Sequence, residues 1–515
     1  RAERMGFLMP TQVQRNALAT MSGGEDTVVR SPTGSGKTLA YLIPMLSQLS
    51  NELLDEEVSK YLSKFMGGGA PPPRSPVLRD ELAPTPLAVI VVPSKELGIQ
   101  VSLLVYQLFG GHRNNPNILP VRIDNRHVPG SKTNMFTYKG PRNVKVVSVL
   151  DDEALNASMP IADYGLDILK GVHVIISTPE LLAPLAERGH VPFNNSRFVV
   201  VDEADECMQK QAALDTFFKA CGGNVCADGQ NRVRAFAGAS IDPEQVRLAA
   251  DKGWLTKPAM VSETIGAEPN WDSPQRVPPS LTHKYVVCNE ETRDLVVLSR
   301  LMKQEMLRQG ADAATPPRFI VYAPDAKSAH GIAAPLQNAL WAGLGGSVDS
   351  GLWGLSVLLP SAEEDKVLAD TDNHTRLTYQ SSVRVIEMFL FNQTNVLVTT
   401  PLATRGLDFP DVCTVFNLGI VGTAADYLHR SGRVGRIGQR AKGNVISIVN
   451  EDSVKQLKSL GEELQFTPEE MAAPEAGDIQ EESSTDDKIR FLEDIFHLLK
   501  DDASQDDDGV ARGGG

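Results

Sequence analysis

The chain has 515 residues, a net charge of −15 and 42% hydrophobic residues, enough apolar side chains for two or three cores rather than one. No apolar run reaches the ~20 residues that a membrane helix needs, so a soluble protein is expected. Five cysteines (Cys207, Cys221, Cys226, Cys288 and Cys413) without a CxxC pair argue against a disulfide scaffold or a zinc half-site and suit reduced thiols inside a cell.

The charge is unevenly spread. Residues 466–515 hold fifteen acidic and four basic side chains, −11 of the −15, so residues 1–465 carry only about −4. A nucleic-acid site on such a core would have to be a local groove, not a globally basic face.

In chain order, the first element with chemistry is a short apolar strand at 27–29 followed by Ser31-Pro32-Thr33-Gly34-Ser35-Gly36-Lys37-Thr38 and a helical pattern from Leu39. Glycines without Cβ atoms let backbone N–H groups curl around phosphate oxygens, and the helix N-terminus adds partial positive charge. Lys37 can reach the β- and γ-phosphates and Thr38 can ligate Mg²⁺. Further buried strands are expected at 87–93, 144–149, 172–178, 198–202 and 234–237. The strand at 198–202 delivers Asp202 and Glu203 to its carboxyl end, where one carboxylate can hold Mg²⁺ through water and the other can polarise an attacking water. A phosphate loop and paired acids at strand ends together imply an NTPase.

Residues 266–280, rich in proline and polar side chains, read as a linker. Beyond it, strands are expected at 283–288, 318–323, 355–359, 395–400, 413–418 and 443–449, with helical patterns between most of them. This alternation predicts α/β architecture with parallel sheets. The stretches 51–84, 112–145 and 341–375 read as surface insertions, and the second is basic enough to be a candidate RNA contact.

These motifs together resemble the DEAD-box ATP-dependent RNA helicases over about residues 5–465. Gly6-Phe7-Leu8-Met9-Pro10-Thr11-Gln12-Val13-Gln14 is similar to the family's adenine-reading motif, with Phe7, Thr11 and Gln14 implied at the base; the upstream aromatic of the family is expected before residue 1. Asp202-Glu203-Ala204-Asp205 matches the box that names the family. Pro93-Ser94-Lys95 and Thr178-Pro179-Glu180 stand at its RNA-backbone contacts. In the second half, Thr400 and Thr404-Arg405-Gly406-Leu407-Asp408 match one motif, and His429-Arg430-Ser431-Gly432-Arg433-Val434-Gly435-Arg436 matches another. The resemblance implies RNA contact at Thr400 and Arg405, nucleotide contact at Gly406 and Asp408, and arginine fingers at Arg433 and Arg436. The three arginines at three-residue spacing are expected on one helical face. The segments AVIVVPSKELGIQV, ASIDPEQVRLAADKGWLTKP and GEELQFTPEEM resemble plant members found in chloroplasts. No transit peptide is read in the chain, and its opening on Arg1 suits a mature or trimmed form.

Four positions depart from the family pattern. Gly238-Ala239-Ser240 replaces Ser-Ala-Thr, removing one of two hydroxyls that couple ATP state to closure. Asp151-Asp152-Glu153 stands where a glycine pair should meet RNA, and acidic groups there would repel phosphate unless turned away. Pro401 replaces an aspartate, and Ser94-Lys95 replaces Thr-Arg, keeping the charge without bidentate geometry.

The resemblance thus implies two tandem RecA-like α/β domains, an ATP-binding domain at 1–265 and a C-terminal domain at 281–465, joined by the linker 266–280. They would close over ATP–Mg²⁺ and single-stranded RNA, with catalysis resting on Lys37, Glu203, Arg433 and Arg436 and metal binding on Thr38 and Asp202. The implied activity is RNA-dependent ATP hydrolysis that binds, unwinds or remodels RNA through its backbone. The alternatives are an ATP-gated clamp or assembly scaffold with weak unwinding, or a translocating DNA helicase. A monomer with RNA, and with ribonucleoprotein or helicase-cofactor proteins as partners, away from membranes, is expected inside the cell, in a plastid by resemblance. Residues 466–515 read as an acidic tail with a short amphipathic helix whose stripe is Ile489, Leu492, Phe496 and Leu499.

Overall fold

The computed structural model describes residues 9–32, 34–49, 86–109, 136–139, 145–158, 169, 172–189, 191–262, 277–278, 280–288, 293–308, 317–341, 354–360, 363, 382–390, 392–404, 406–409, 411–434 and 443–474. The chain divides into two compact units, Arg1–Ser273 and Pro274–Gly515.

The first unit holds an eight-stranded sheet. Its strands are β1 (Thr27–Arg30), β2 (Ala88–Val91), β3 (Phe136–Lys139), β4 (Lys145–Val149), β5 (Val174–Ser177), β6 (Phe198–Val201), β7 (Val233–Gly238) and β8 (Ala259–Val261), in the order β3-β4-β5-β2-β6-β7-β1-β8. All neighbours run parallel except β3, which is antiparallel to β4. β2, β5 and β6 are buried at every position, as strands covered on both faces must be, which is why they read as unbroken apolar runs. Helices Pro179–Arg188 and Gln211–Cys221 pack together, and Phe193, Phe217, Phe218, Phe236 and Trp254 fill the core beneath them. Trp254 stacks on Phe218 with ring centroids 5.7 Å apart, and its indole N–H donates to Asp215 at 3.1 Å.

The matched registers place the ends of six strands on one edge. Arg30 pairs with Gly238 and Val201 with Phe236; Val91 lies beside Val201 and Ser177, and Ser177 beside Val149. The residues after β1, β6 and β7 therefore share one sector, and those after β2, β4 and β5 share the next.

The second unit holds a seven-stranded, all-parallel sheet in the order β11-β12-β10-β13-β14-β9-β15. Its strands are β9 (Thr282–Val287), β10 (Arg318–Tyr322), β11 (Leu355–Leu358), β12 (Val396–Thr399), β13 (Val412–Leu418), β14 (Asn444–Val449) and β15 (Glu469–Glu470).

One boundary moves. Residues 466–474, assigned to the tail by their charge, belong to the second unit. β15 pairs with β9, Met471 N donates to Tyr285 O at 2.9 Å, and the Phe466 ring stacks on His283 and Tyr427 at 4.0 and 5.1 Å. Apolar Phe466 and Met471 decide this against the glutamates, which stay exposed. The stripe from Ile489 to Leu499, nearly all of the linker, most of the three insertions, and Phe7, Thr33, Arg405 and Arg436 lie outside the described residues.

Candidate nucleotide site and nucleic-acid interface

The phosphate loop joins β1 to a helix over 37–49. Gly34 and Gly36 sit at φ +81° and +89°, a region glycine enters without Cβ strain. Gly36 is also fixed by space, because a Cβ there would stand 2.4 Å from Gln14 Nε2. Lys37 is buried and its Nζ donates to the Ser31 and Pro32 carbonyls at 2.8 and 3.0 Å, which holds the ammonium over the loop. Ser35 Oγ is buried without a hydrogen-bond partner among the described residues. An unsatisfied hydroxyl and two left-handed glycines are what a loop built to take phosphate oxygens would carry.

Gln14 lies against this loop. Its Oε1 accepts from Thr11 N at 3.0 Å and its Nε2 donates to Gly36 O at 3.2 Å, while Thr11 Oγ1 accepts from Gln14 N at 3.3 Å. The amide still has one N–H and one lone pair to offer a base edge.

β6 carries the paired acids. Asp202 is 2% exposed; its Oδ2 accepts from the Tyr41 hydroxyl at 2.7 Å and its Oδ1 from Glu203 N at 3.1 Å. Burial raises the Asp202 carboxyl above its ordinary value, against the Tyr41 hydrogen bond and the Lys37 charge. Burial, with Asp202 beside it, likewise pushes the Tyr41 phenol well up, and a hydrogen bond from Thr38 opposes this. Thr38, Tyr41 and Asp202 thus form a chain joining the two side chains assigned to a metal, and an oxygen pair so arranged fits Mg²⁺. Glu203 occupies the left-handed region at φ +43°, ψ +56°.

Asp205 reaches β7. Its Oδ2 accepts from Ser240 N at 3.0 Å and from the Ser240 hydroxyl, while its Oδ1 is buried without a partner among the described residues. Gly238 explains this, because a Cβ at 238 would stand 2.9 Å from that oxygen.

In the next sector, Ser94 Oγ caps helix Lys95–Leu108 by accepting from Leu97 N. Lys95 Nζ meets Asp151 Oδ2 at 3.0 Å. Asp151 therefore neither faces a ligand freely nor turns away. Thr178 and Pro179 start helix Pro179–Arg188 directly after β5, and Glu180 pairs with exposed Lys210 at 2.8 Å.

In the second unit Thr400 and Thr404 are buried, Gly406 sits at φ +72° and Asp408 is exposed. Thr404 Oγ1 lies 2.9 Å from the Tyr322 hydroxyl. The expected helical face is interrupted between Arg430 and Arg433: helix Ala424–Ser431 ends at Gly432, and Arg433 lies in the following turn. There Arg433 is buried, donating from Nε to His429 O at 3.0 Å and from Nη1 to Leu407 O, with Nη2 unpartnered among the described residues. Arg430 is spent on structure, donating to Val421 O at 2.7 Å with its guanidinium 5.7 Å from the Tyr427 ring.

Against known families, the DEAD/DEAH box helicase domain matches residues 11–122 and the helicase conserved C-terminal domain matches 370–438. In these two regions the chain is similar to the DEAD-box helicases. It is 26% identical over 485 residues to the chloroplastic DEAD-box ATP-dependent RNA helicase 58 of Oryza sativa subsp. japonica, covering 92% of this chain and 85% of that protein. The Arabidopsis thaliana helicase 58, also named chloroplastic, is 26% identical over 479 residues, covering 92% and 81%. Among solved structures, the DEAD-box helicase Mss116 bound to ssRNA and UDP-BeF aligns over 95% of this chain and 79% of that one, with a TM-score of 0.61 at 18% identity. That likeness shows the tandem RecA-like fold of this chain.

Three features of the site escaped the sequence. Tyr41, four residues after Lys37, could have been found from the i, i+4 helical spacing that puts both on one face. The Lys95–Asp151 pair and the lone Asp205 oxygen had no local signal.

Proposed function

We propose that this chain is a DEAD-box helicase that hydrolyses ATP to bind and locally unwind or remodel RNA through its sugar–phosphate backbone. The observation that supports it best is the shared strand-end edge of the first sheet, with the phosphate loop and Asp202–Glu203 in one sector and Lys95 and Thr178 in the next. In this reading Lys37 exchanges the Ser31 and Pro32 carbonyls for phosphate oxygens, and the loop N–H groups with Ser35 cradle the same charge. Mg²⁺, held by Thr38 and Asp202, would neutralise charge on the transferred phosphoryl group. Glu203 orients the attacking water, Tyr41 fixes the rotamer of Asp202, and Gln14 reads adenine. Arg433 and Arg436 act as arginine fingers, a role typically worth ~10³–10⁵ in rate. RNA contact falls to Pro93, Ser94, Lys95, Thr178, Pro179, Glu180, Thr400 and Arg405, and nucleotide contact to Gly406 and Asp408.

The deciding experiment is the ATPase rate with no nucleic acid, with single-stranded RNA and with DNA of the same sequence. Stimulation by RNA alone is expected; equal stimulation by both, or by neither, refutes the RNA reading. The orphaned Asp205 Oδ1 favours a second reading, an ATP-gated clamp with weak unwinding, recognised by RNA-stimulated ATPase without strand displacement. The chloroplastic relatives support a plastid location, which fractionation of the native protein tests. We place the protein as a monomer away from membranes, with RNA and a ribonucleoprotein or helicase-cofactor protein as partners; among the described residues no helix is long and apolar enough to cross a membrane.

A further inference from the structure

Helix Lys95–Leu108 packs on β4 at a range only glycine permits. A Cβ on Gly98 would stand 2.4 Å from Leu150 Cδ2, and one turn further on the Ser102 and Ser148 hydroxyls touch. This contact brings the first residue of the helix, Lys95, beside the residue two beyond β4, Asp151. Asp151 is held at both oxygens. Oδ1 accepts from Ala154 N at 2.8 Å as the N-cap of helix Asp152–Ala157, and Oδ2 pairs with Lys95 Nζ at 3.0 Å. The two side chains are only 14% and 17% exposed, so the pair is partly shielded from solvent. Two departures from the family pattern, 56 positions apart, have thus become one ion pair.

We infer that Asp151 is a built-in competitor for the RNA phosphate at Lys95, so that this contact is self-neutralised until RNA displaces the carboxylate. The inference rests on the RNA reading above and adds its regulation. A phosphate arriving at Lys95 must take the ammonium from a carboxylate that the N-cap keeps in place, or share it at the cost of like-charge repulsion. Lys95 then releases almost no counterion on its own, and the grip of the first unit on RNA is weaker than its basic side chains suggest.

The test is Asp151→Asn, because asparagine caps a helix as well as aspartate does while removing the charge. Binding of a fluorescent uridine oligoribonucleotide, with a non-hydrolysable ATP analogue present, is measured against salt. Freeing one cation should steepen the log–log salt slope by about 0.7, giving roughly fivefold to tenfold tighter binding at 50 mM salt and an advantage about threefold smaller at 200 mM. In a Lys95→Met background the substitution should give no gain. Equal affinity and slope for parent and Asp151→Asn, with the parent binding RNA, overturns the competitor; so does a gain that survives in Lys95→Met, which would assign it to general charge. Absence of RNA binding by every form at 50 mM would instead overturn the RNA reading itself.

Discussion

Gly238 offers a measurement in which two opposing effects can be separated. A side chain at 238 would bring Cβ within 2.7 Å of Ile241 Cγ1 and 2.9 Å of Asp205 Oδ1, so Ile241 and the carboxylate must both shift. Overpacking of this kind costs about 1–3 kcal/mol, and the lost glycine entropy returns about 0.4–1 kcal/mol at a backbone angle other residues accept. Gly238→Ala carries both terms and nothing else. Gly238→Ser adds a hydroxyl beside an oxygen that is buried without a partner, and a hydrogen bond to a charged group contributes about 1.5–3 kcal/mol. The serine variant should therefore exceed the alanine variant in stability by about that amount, whichever way each compares with the parent. At ~2–4 °C per kcal/mol for a domain of this size, the two melting points should differ by roughly 3–12 °C in thermal unfolding followed by circular dichroism. Serine should also raise strand displacement per ATP, with basal ATPase little changed. Coincident melting of the two variants would refute the premise that Asp205 Oδ1 lacks a donor.

Glu203→Gln should keep ATP and RNA binding while lowering turnover by orders of magnitude; steady-state ATPase within a few fold of the parent would place water activation elsewhere. Burial holds the His283 imidazole down at about 4, so the folded state keeps it neutral where the unfolded state, near 6.5, binds a proton. Its contribution is full above pH 6.5 and is lost as pH falls towards 4, about 3 kcal/mol in all, and His283→Phe should flatten that part of the denaturation profile. An unchanged profile would count against it. Ending the chain at Gln465 should cost the second unit about 2 kcal/mol, from two ring stacks of Phe466 worth ~0.5–1.5 kcal/mol each, whereas ending it at Pro474 should cost little. Urea midpoints compare the two truncations.

The parts of the fold that were legible are those whose physics is local. Continuous apolar runs announced β2, β5 and β6 because both their faces are covered, and the loop Ser31–Thr38 was readable because phosphate geometry dictates glycine positions. β8 and β15 were missed because strands of three and two residues, half-buried or exposed, leave no pattern. The arginine spacing in 430–436 suggested a helix, but Gly432 ends it first. Tyr41 and Asp202 are 161 positions apart, so no spacing rule links a phenol to the carboxylate it holds. The tail boundary failed because net charge averages over a segment, whereas a single half-buried ring, Phe466, decides where packing stops.

The backbone at Glu203 has an implication for variation. A left-handed conformation costs a residue with a Cβ roughly 1–2 kcal/mol, which glycine avoids and asparagine partly avoids. If Glu203 serves the attacking water, the side chain required for turnover is also among the least comfortable ones for its own backbone. Glu203→Gly would relieve that backbone strain and remove the chemistry with it. Glutamate persists at such a position only where turnover itself is under selection.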